Sequence, residues 1–286
     1  MVLESLTNPL SVEKRPLQML ILGFAYASIG IALALWVFKT ESSVIMVFLA
    51  AMAAIPLMYN TIKLEEEKDM EGMEESWLLK EHTKALTAFI YLFIGMTVAF
   101  SLWYTVLSPE TITFLFKAQA GTIKTINPGA TGFTTLDFSA FTRIFLNNVR
   151  VLIFCILFSF LYGSGAIFIL AWNGSVIGAA IGNFIRNNLA EAANMLGAQK
   201  TAHYFQVIGF GLFRYAIHGV PEIFAYFVAG LAGGIISIAA IRHDFGTKKF
   251  EHILLDSADL LLLSIIILFV AAILEVWVTP MIFVWS

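Results

Sequence analysis

The chain has 286 residues, 59% of them hydrophobic and 13% charged, with a formal net charge of −3. Soluble domains carry about 25% charged residues, so this composition points to a polytopic membrane protein, and the slight negative balance argues against a nucleic-acid partner. The single cysteine, Cys155, lies in an apolar run and excludes an internal disulfide.

Several stretches exceed the roughly 18 apolar residues that mark a membrane helix. The expected class is therefore all-α, a single integral membrane domain over 1–286 with about six transmembrane helices, placed in the cell membrane with the lipid bilayer as its main partner. Leu17–Phe38 is the first span. It is too long for a signal-peptide core and has no clear cleavage site, so it is expected to remain in place. Ser43–Tyr59 is the second, joined through Lys39-Thr40-Glu41, a link short enough to require a helical hairpin. These two form an N-terminal hairpin, residues 17–59.

Residues 60–84 hold eight of the twenty Asp and Glu, with Lys63, Lys68, Lys80 and Lys84 at helical spacing among them. This stretch reads as a solvated helical connector, and it could also dock a basic partner protein. Ala85–Leu107 is the third span. Ser108–Asn148 follows as the longest polar stretch and offers a second surface for a partner; within it, 126–137 has turn chemistry and Asp137 suits a helix cap.

From Phe138 a helical pattern continues to Trp172, about 35 residues or roughly 52 Å at 1.5 Å per residue. Against a hydrocarbon core of about 30 Å, such a helix must project, tilt or bend, and Gly163 and Gly165 mark the place. Residues 173–188 have too few apolar positions for an obvious span and read as a re-entrant or interfacial segment. Gly174, Gly178 and Gly182 recur every four residues and make one face suited to close helix packing. The stretch 189–204 is a polar connector. Leu260–Trp285 is the last span and contains Glu275. Lys and Arg divide almost evenly between the two sides, so the positive-inside rule sets no orientation.

Phe205–Ile241 is apolar but interrupted by Arg214, His218 and Glu222, spaced by four and so on one helix face. Gly219 and Pro221 are expected to break the helix there, leaving Glu222 in the first turn of a new span where its charge suits the helix dipole. Glu275 follows fifteen apolar residues, and Pro280 deprives the Val276 carbonyl of its usual donor, with Thr279 at hand to satisfy a neighbouring backbone group. Charged side chains in a membrane should face the bundle, a partner or water. Three readings of Arg214, His218, Glu222 and Glu275 stay open: a polar network that fixes helix packing, an ion-coupled transport site, or a metal or acid/base centre. The third has only one His–Glu pair behind it. No H-E-x-x-H, G-x-S-x-G or P-loop is present, so no catalytic residue, cofactor or metal ligand is assigned. Gly230, Gly233 and Gly234 make a second packing face, either within the chain or between copies in a homo-oligomer.

An ordered set of motifs runs through the second half: Asn147-Asn148, Gly163 and Gly165, Asn173-Gly174 with Gly178, His218-Gly219-Val220-Pro221-Glu222, the 229–234 glycine stretch, and Glu275 with Thr279-Pro280. The set resembles the stage II sporulation protein M family over roughly 85–286. The resemblance implies a helical membrane protein without enzymatic activity; in endospore-forming bacteria the family member belongs to the engulfment machinery and helps recruit peptidoglycan-degrading partners. It carries over no catalytic residue. The positions that correspond are Asn147, Asn148, Asn173, Gly174, His218, Gly219, Glu222, Glu275 and Pro280. The hairpin 17–59 and the acidic connector lie outside it. The leading expectation is a non-enzymatic scaffold or membrane-remodelling component. An ion-coupled small-solute transporter comes second and an intramembrane metal-dependent hydrolase third.

Overall fold

The computed structural model describes residues 16–70, 75–126, 138–162, 165–192, 197–241 and 247–283. Among them the chain is helical throughout: α1 (Pro16–Val37), α2 (Ser42–Met70), α3 (Glu75–Val106), α4 (Pro109–Leu115), α5 (Lys117–Ile126), α6 (Phe138–Tyr162), α7 (Ala166–Ala192), α8 (Gly197–Ile241), α9 (Lys248–Ile273), a π-turn at Leu274–Val278, and α10 (Thr279–Phe283). Seven helical stretches are long and apolar enough to cross a membrane. In lipid a helix satisfies its own backbone, which is why continuous apolar runs become helices here.

The count of about six spans becomes seven because the pattern expected as one long helix over 138–172 is two. The helix that begins at Phe138 stops at Tyr162, and the next starts at Ala166. A Cβ on Gly165 would lie 2.8 Å from the Phe158 carbonyl carbon, so only glycine lets the chain fold back this tightly. The segment 173–188 then gains seven apolar residues ahead of it and is the body of a 27-residue spanning helix, not a re-entrant segment.

Side-chain registers give the spans their directions. Gly23 of α1 faces Leu92 and Met96 of α3, and Ser28 accepts a hydrogen bond from Trp103 Nε1 at 3.0 Å, so α1 and α3 run parallel. Gly174, Gly178 and Gly182 of α7 sit against Phe93, Phe100 and Tyr104 of α3, again parallel. Asn148 of α6 lies by Glu222 of α8, and Ile156 and Ser159 further along α6 lie by Gly233, while Phe145 and Phe138 of α6 pack on Phe269 and Trp277, which places α6 parallel to α8 and antiparallel to α9. Successive spans thus alternate in direction. The glycine face at 229–234 is occupied by α6 of the same chain.

Helix α8 is the centre of the bundle: 83% of its apolar window is buried, against 22% for α6 and 28% for α9, whose outer faces are left to lipid. It packs against α2, α3, α6, α7 and α9. The expected break at Gly219–Pro221 does not occur. The helix continues through Pro221 for 45 residues, because one lost backbone bond is small beside the burial of 223–240 against several neighbours.

The 60–84 stretch also departs from expectation. Helix α2 extends to Met70, and Glu65, Glu66 and His82 are buried, not solvated. Both helices outrun their apolar segments while still packing on each other, so their inner faces stay dry. There His82 Nδ1 meets Glu65 Oε2 at 2.7 Å, the kind of pairing that burial of charge requires. The side chains of 68–81 lie outside the described residues. Ser108 caps α4 by accepting from the Thr111 amide, and α4 and α5 then fold back into the bundle. Gln119 is buried there and donates through Nε2 to the Ser43 carbonyl at 3.0 Å and to Ser175 Oγ at 3.1 Å. The 126–137 turn and the Asp137 cap lie almost wholly outside the described residues.

Candidate functional site

Three helices bring polar side chains together where α6, α8 and α9 meet. On α8, His218 and Glu222 are one turn apart and share a face. Asn148, buried on α6, donates through Nδ2 to Glu222 Oε1 at 2.5 Å. On the π-turn that follows α9, Glu275 lies one turn before Thr279, whose hydroxyl His218 reaches, so the antiparallel register sets it beside Glu222. One turn further along α8, Tyr226 is 2% exposed.

The π-turn has a local cause. Pro280 has no N–H, so an undisturbed α-helix would leave the Val276 carbonyl without its usual donor. The chain widens by one residue instead, and the Thr279 amide donates to the Leu274 carbonyl. Thr279 Oγ1 donates to that same carbonyl at 2.9 Å, as expected of a residue able to satisfy a neighbouring backbone group. Its one proton is then used. The contact from His218 Nδ1 to Thr279 Oγ1 at 3.3 Å therefore runs from histidine to threonine, which places a proton on Nδ1. The widened turn carries Thr279 to His218 and sets Glu275 at the level of Glu222, which ties α8 to the end of α9.

Of the four residues singled out by sequence, His218, Glu222 and Glu275 converge. The side chain of Arg214 lies outside the described residues. Asn148 joins the cluster as the direct partner of Glu222, a role its place in a motif did not reveal. Asn147, its neighbour, is exposed. Asn173 is elsewhere: it donates to the Ile169 carbonyl one turn back at 2.9 Å. Gly174 belongs to the α3–α7 contact, where a Cβ would stand 3.0 Å from Thr97 Oγ1. A Cβ on Gly219 would meet nothing within 4 Å, so that glycine is not demanded by packing. Gly230 lies against Ala166 of α7 and Ser159 of α6, Gly233 against Ile156 and Ser159 of α6, and Gly234 is buried beside them. Sequence reasoning passed over Gln119, Tyr226 and the Glu65–His82 pair. Only the Glu65–His82 pair left a trace, as a histidine within a charged run. Among the described residues no three His, Cys, Asp or Glu side chains converge as metal ligands do.

Neither the curated proteins nor the solved structures include a significant match to this chain. The stage II sporulation protein M family matches residues 85–280, well over half of the chain and all of the cluster at α6, α8 and α9. The match leaves out α1 and α2, the hairpin that the sequence set apart. The chain is a multi-pass helical membrane protein belonging to the stage II sporulation protein M family.

Proposed function

We propose that this protein is a non-enzymatic scaffold of the cell membrane, one that holds a partner protein at the bilayer. The observation that carries this reading is the length of α8. Its 45 residues extend about 68 Å, while the hydrocarbon core is about 30 Å thick. At 1.5 Å per residue, 216–241 already extend about 39 Å, enough for a full crossing, so residues 197–215 lengthen the helix past that crossing by an arm of about 28 Å, of which Phe205–Tyr215 is still apolar. The arm is continuous with the most buried span, and a load on it is passed to the centre of the bundle. The polar cluster supports the same reading: Asn148, His218, Glu222, Glu275 and Thr279 engage one another across helices and lock the base of the arm.

The test uses Gly209, which is exposed on the arm and has open space where a side chain would begin. A photo-reactive phenylalanine analogue at position 209 is expected to cross-link one discrete membrane or peripheral protein in native membranes, while the same analogue at Leu262, on the lipid face of α9, does not. Cross-links only to lipid, or an identical pattern from both positions, would remove the basis for a scaffold.

Ion-coupled transport of a small solute is a second reading, favoured by one observation. Two carboxyls from different helices meet beside an irregular turn inside the bundle, an arrangement also used by transporters. Flux into proteoliposomes that responds to an imposed ion gradient and is abolished by Glu222→Gln would put this reading first.

A further inference from the structure

We propose that the outward face of α6 is the docking site for a membrane-spanning helix of another protein, one that carries carboxylate side chains inside its own span. Arg143, Asn147 and Arg150 are separated by four and three residues, lie on one face of α6 and are all exposed. The other side of α6 is the one engaged with the bundle: Phe141 and Phe145 pack on Phe269, and Asn148 donates to Glu222. Around the arginines the outward face is apolar, with Leu146, Phe154, Leu157 and Leu161 exposed. Among the described residues neither arginine has an ion pair or a hydrogen bond, and Asn147 has no hydrogen bond. Arg186 on α7, by contrast, gives its donors to carbonyls of α3.

Depth and direction identify the occupant. The apolar stretch Phe138–Leu161 has 24 residues, about 36 Å of helix, and Arg150 is near its middle. If Tyr162 marks one edge of a core about 30 Å thick, the core reaches back about 20 residues to Arg143, and Arg150 still lies about 10 Å inside. Snorkelling carries Arg143 toward the headgroups; Arg150, two turns deeper on the same face, has a stretch of hydrocarbon to cross first. A guanidinium at that depth calls for an acceptor brought to it. The two arginines are also separated along the membrane normal, by about 10 Å for seven residues of helix. Lipid phosphates lie in one plane. Carboxylates seven residues apart on a spanning helix have the required separation, and each accepts two parallel hydrogen bonds from a guanidinium. Asn147, between the arginines, can donate to or accept from a polar group on the same helix. A second copy of this chain does not fit. A symmetric contact sets arginine against arginine, and the exposed acidic side chains among the described residues, Glu41, Glu67, Glu110, Glu251 and Asp259, lie at or beyond the ends of uncharged runs.

The site rests on the scaffold reading for the existence of a partner and adds that partner's chemistry. The probe is a peptide of about 20 leucines, the length of a span, with one central Glu; its control has leucine there. Each is reconstituted with the full-length protein in phosphatidylcholine vesicles, with a photo-reactive phenylalanine analogue in place of Phe154, one turn beyond Arg150 on the same face. The Glu peptide is expected to cross-link several-fold more than the control, and Arg150→Gln to abolish the difference while Cys155, fully buried, stays unreactive toward maleimide. Equal yields from the two peptides on the otherwise wild-type protein overturn the proposal and need no variant. A second Glu seven residues from the first should raise the yield again, but not in Arg143→Gln; no gain on the wild-type face would overturn the pairing along the normal. Loss of the Glu-peptide cross-link when phosphatidylglycerol replaces part of the phosphatidylcholine would assign the face to an anionic lipid and overturn a protein partner. The vesicles contain no native partner, so this result is separate from the cross-link at position 209. A preference for the Glu peptide without a cross-link from 209 keeps the site and removes the scaffold arm, and the reverse keeps the arm and removes the site.

Discussion

Gly95→Ala tests how closely α1 and α3 approach. A Cβ at position 95 would stand 2.9 Å from both the Leu20 carbonyl carbon and the Phe24 amide nitrogen, and closer still to the Leu20 carbonyl oxygen. Gly23 meets α3 in the reciprocal way, 2.9 Å from the Leu92 carbonyl carbon and 3.1 Å from the Met96 nitrogen. Favourable contact begins at about 3.5 Å, so the helices must part by at least about 0.6 Å to admit one methyl group. Overpacking costs about 1–3 kcal/mol. The obstacle here is backbone and cannot swing aside, so the cost belongs at the top of that range. With about 2–4 °C lost per kcal/mol in a chain of this size, the melting midpoint should fall by roughly 6–12 °C. The assay is built into the protein: Cys155 is the only cysteine and is fully buried, so a fluorogenic maleimide reports its exposure on heating. Gly23→Ala should behave alike. The double substitution should cost less than the two singles together, because one separation of the helices relieves both clashes. A midpoint within a degree of wild type for either single variant, or full additivity in the double, would refute the close approach.

The Glu65–His82 pair gives a second prediction. Replacing His82 with Leu takes away the Nδ1 contact to Glu65 Oε2 in a buried interface and should cost about 3 kcal/mol, whereas replacing both with Leu should cost less. A double variant no more stable than the single would contradict the pairing. Gln119→Leu removes the donor to the Ser43 carbonyl and Ser175 Oγ and should cost about 1–3 kcal/mol in the same melting assay; an unchanged midpoint would show that α5 is not pinned there. Arg186 donates from α7 to the Leu107 carbonyl at 2.7 Å and more weakly to that of Tyr104, holding the end of α3. Its replacement by Ala should cost about 1.5–3 kcal/mol and by Lys less, since a single ammonium cannot spread its donors as the guanidinium does; equal loss from both would count against this capping.

Much of the architecture follows from local physics. Length of apolar run, scarcity of charge and glycine spacing are properties of the chain alone, and they specify an all-α membrane bundle, five of its spans and the faces that pack closely. The family, too, was legible as a pattern of motifs in order. What required the tertiary structure was every point where a local signal was overridden by packing. Pro221 lies where a break was expected, but the neighbours of α8 keep it helical. Gly163 and Gly165 signalled a bend, and the structure makes a reversal because Gly165 sits against the carbonyl of Phe158, which changes the number of spans. Glu65 and Glu66 read as solvated charges on an acidic run, yet the crossing of α2 and α3 buries them. The candidate site divides in the same way. Intramembrane carboxylates stand out in sequence because they are costly there, so Glu222 and Glu275 were visible at once. Their meeting was not, since it depends on a π-turn and on three helices distant in sequence, and the spacing of residues along one helix carries no information about which helix faces it.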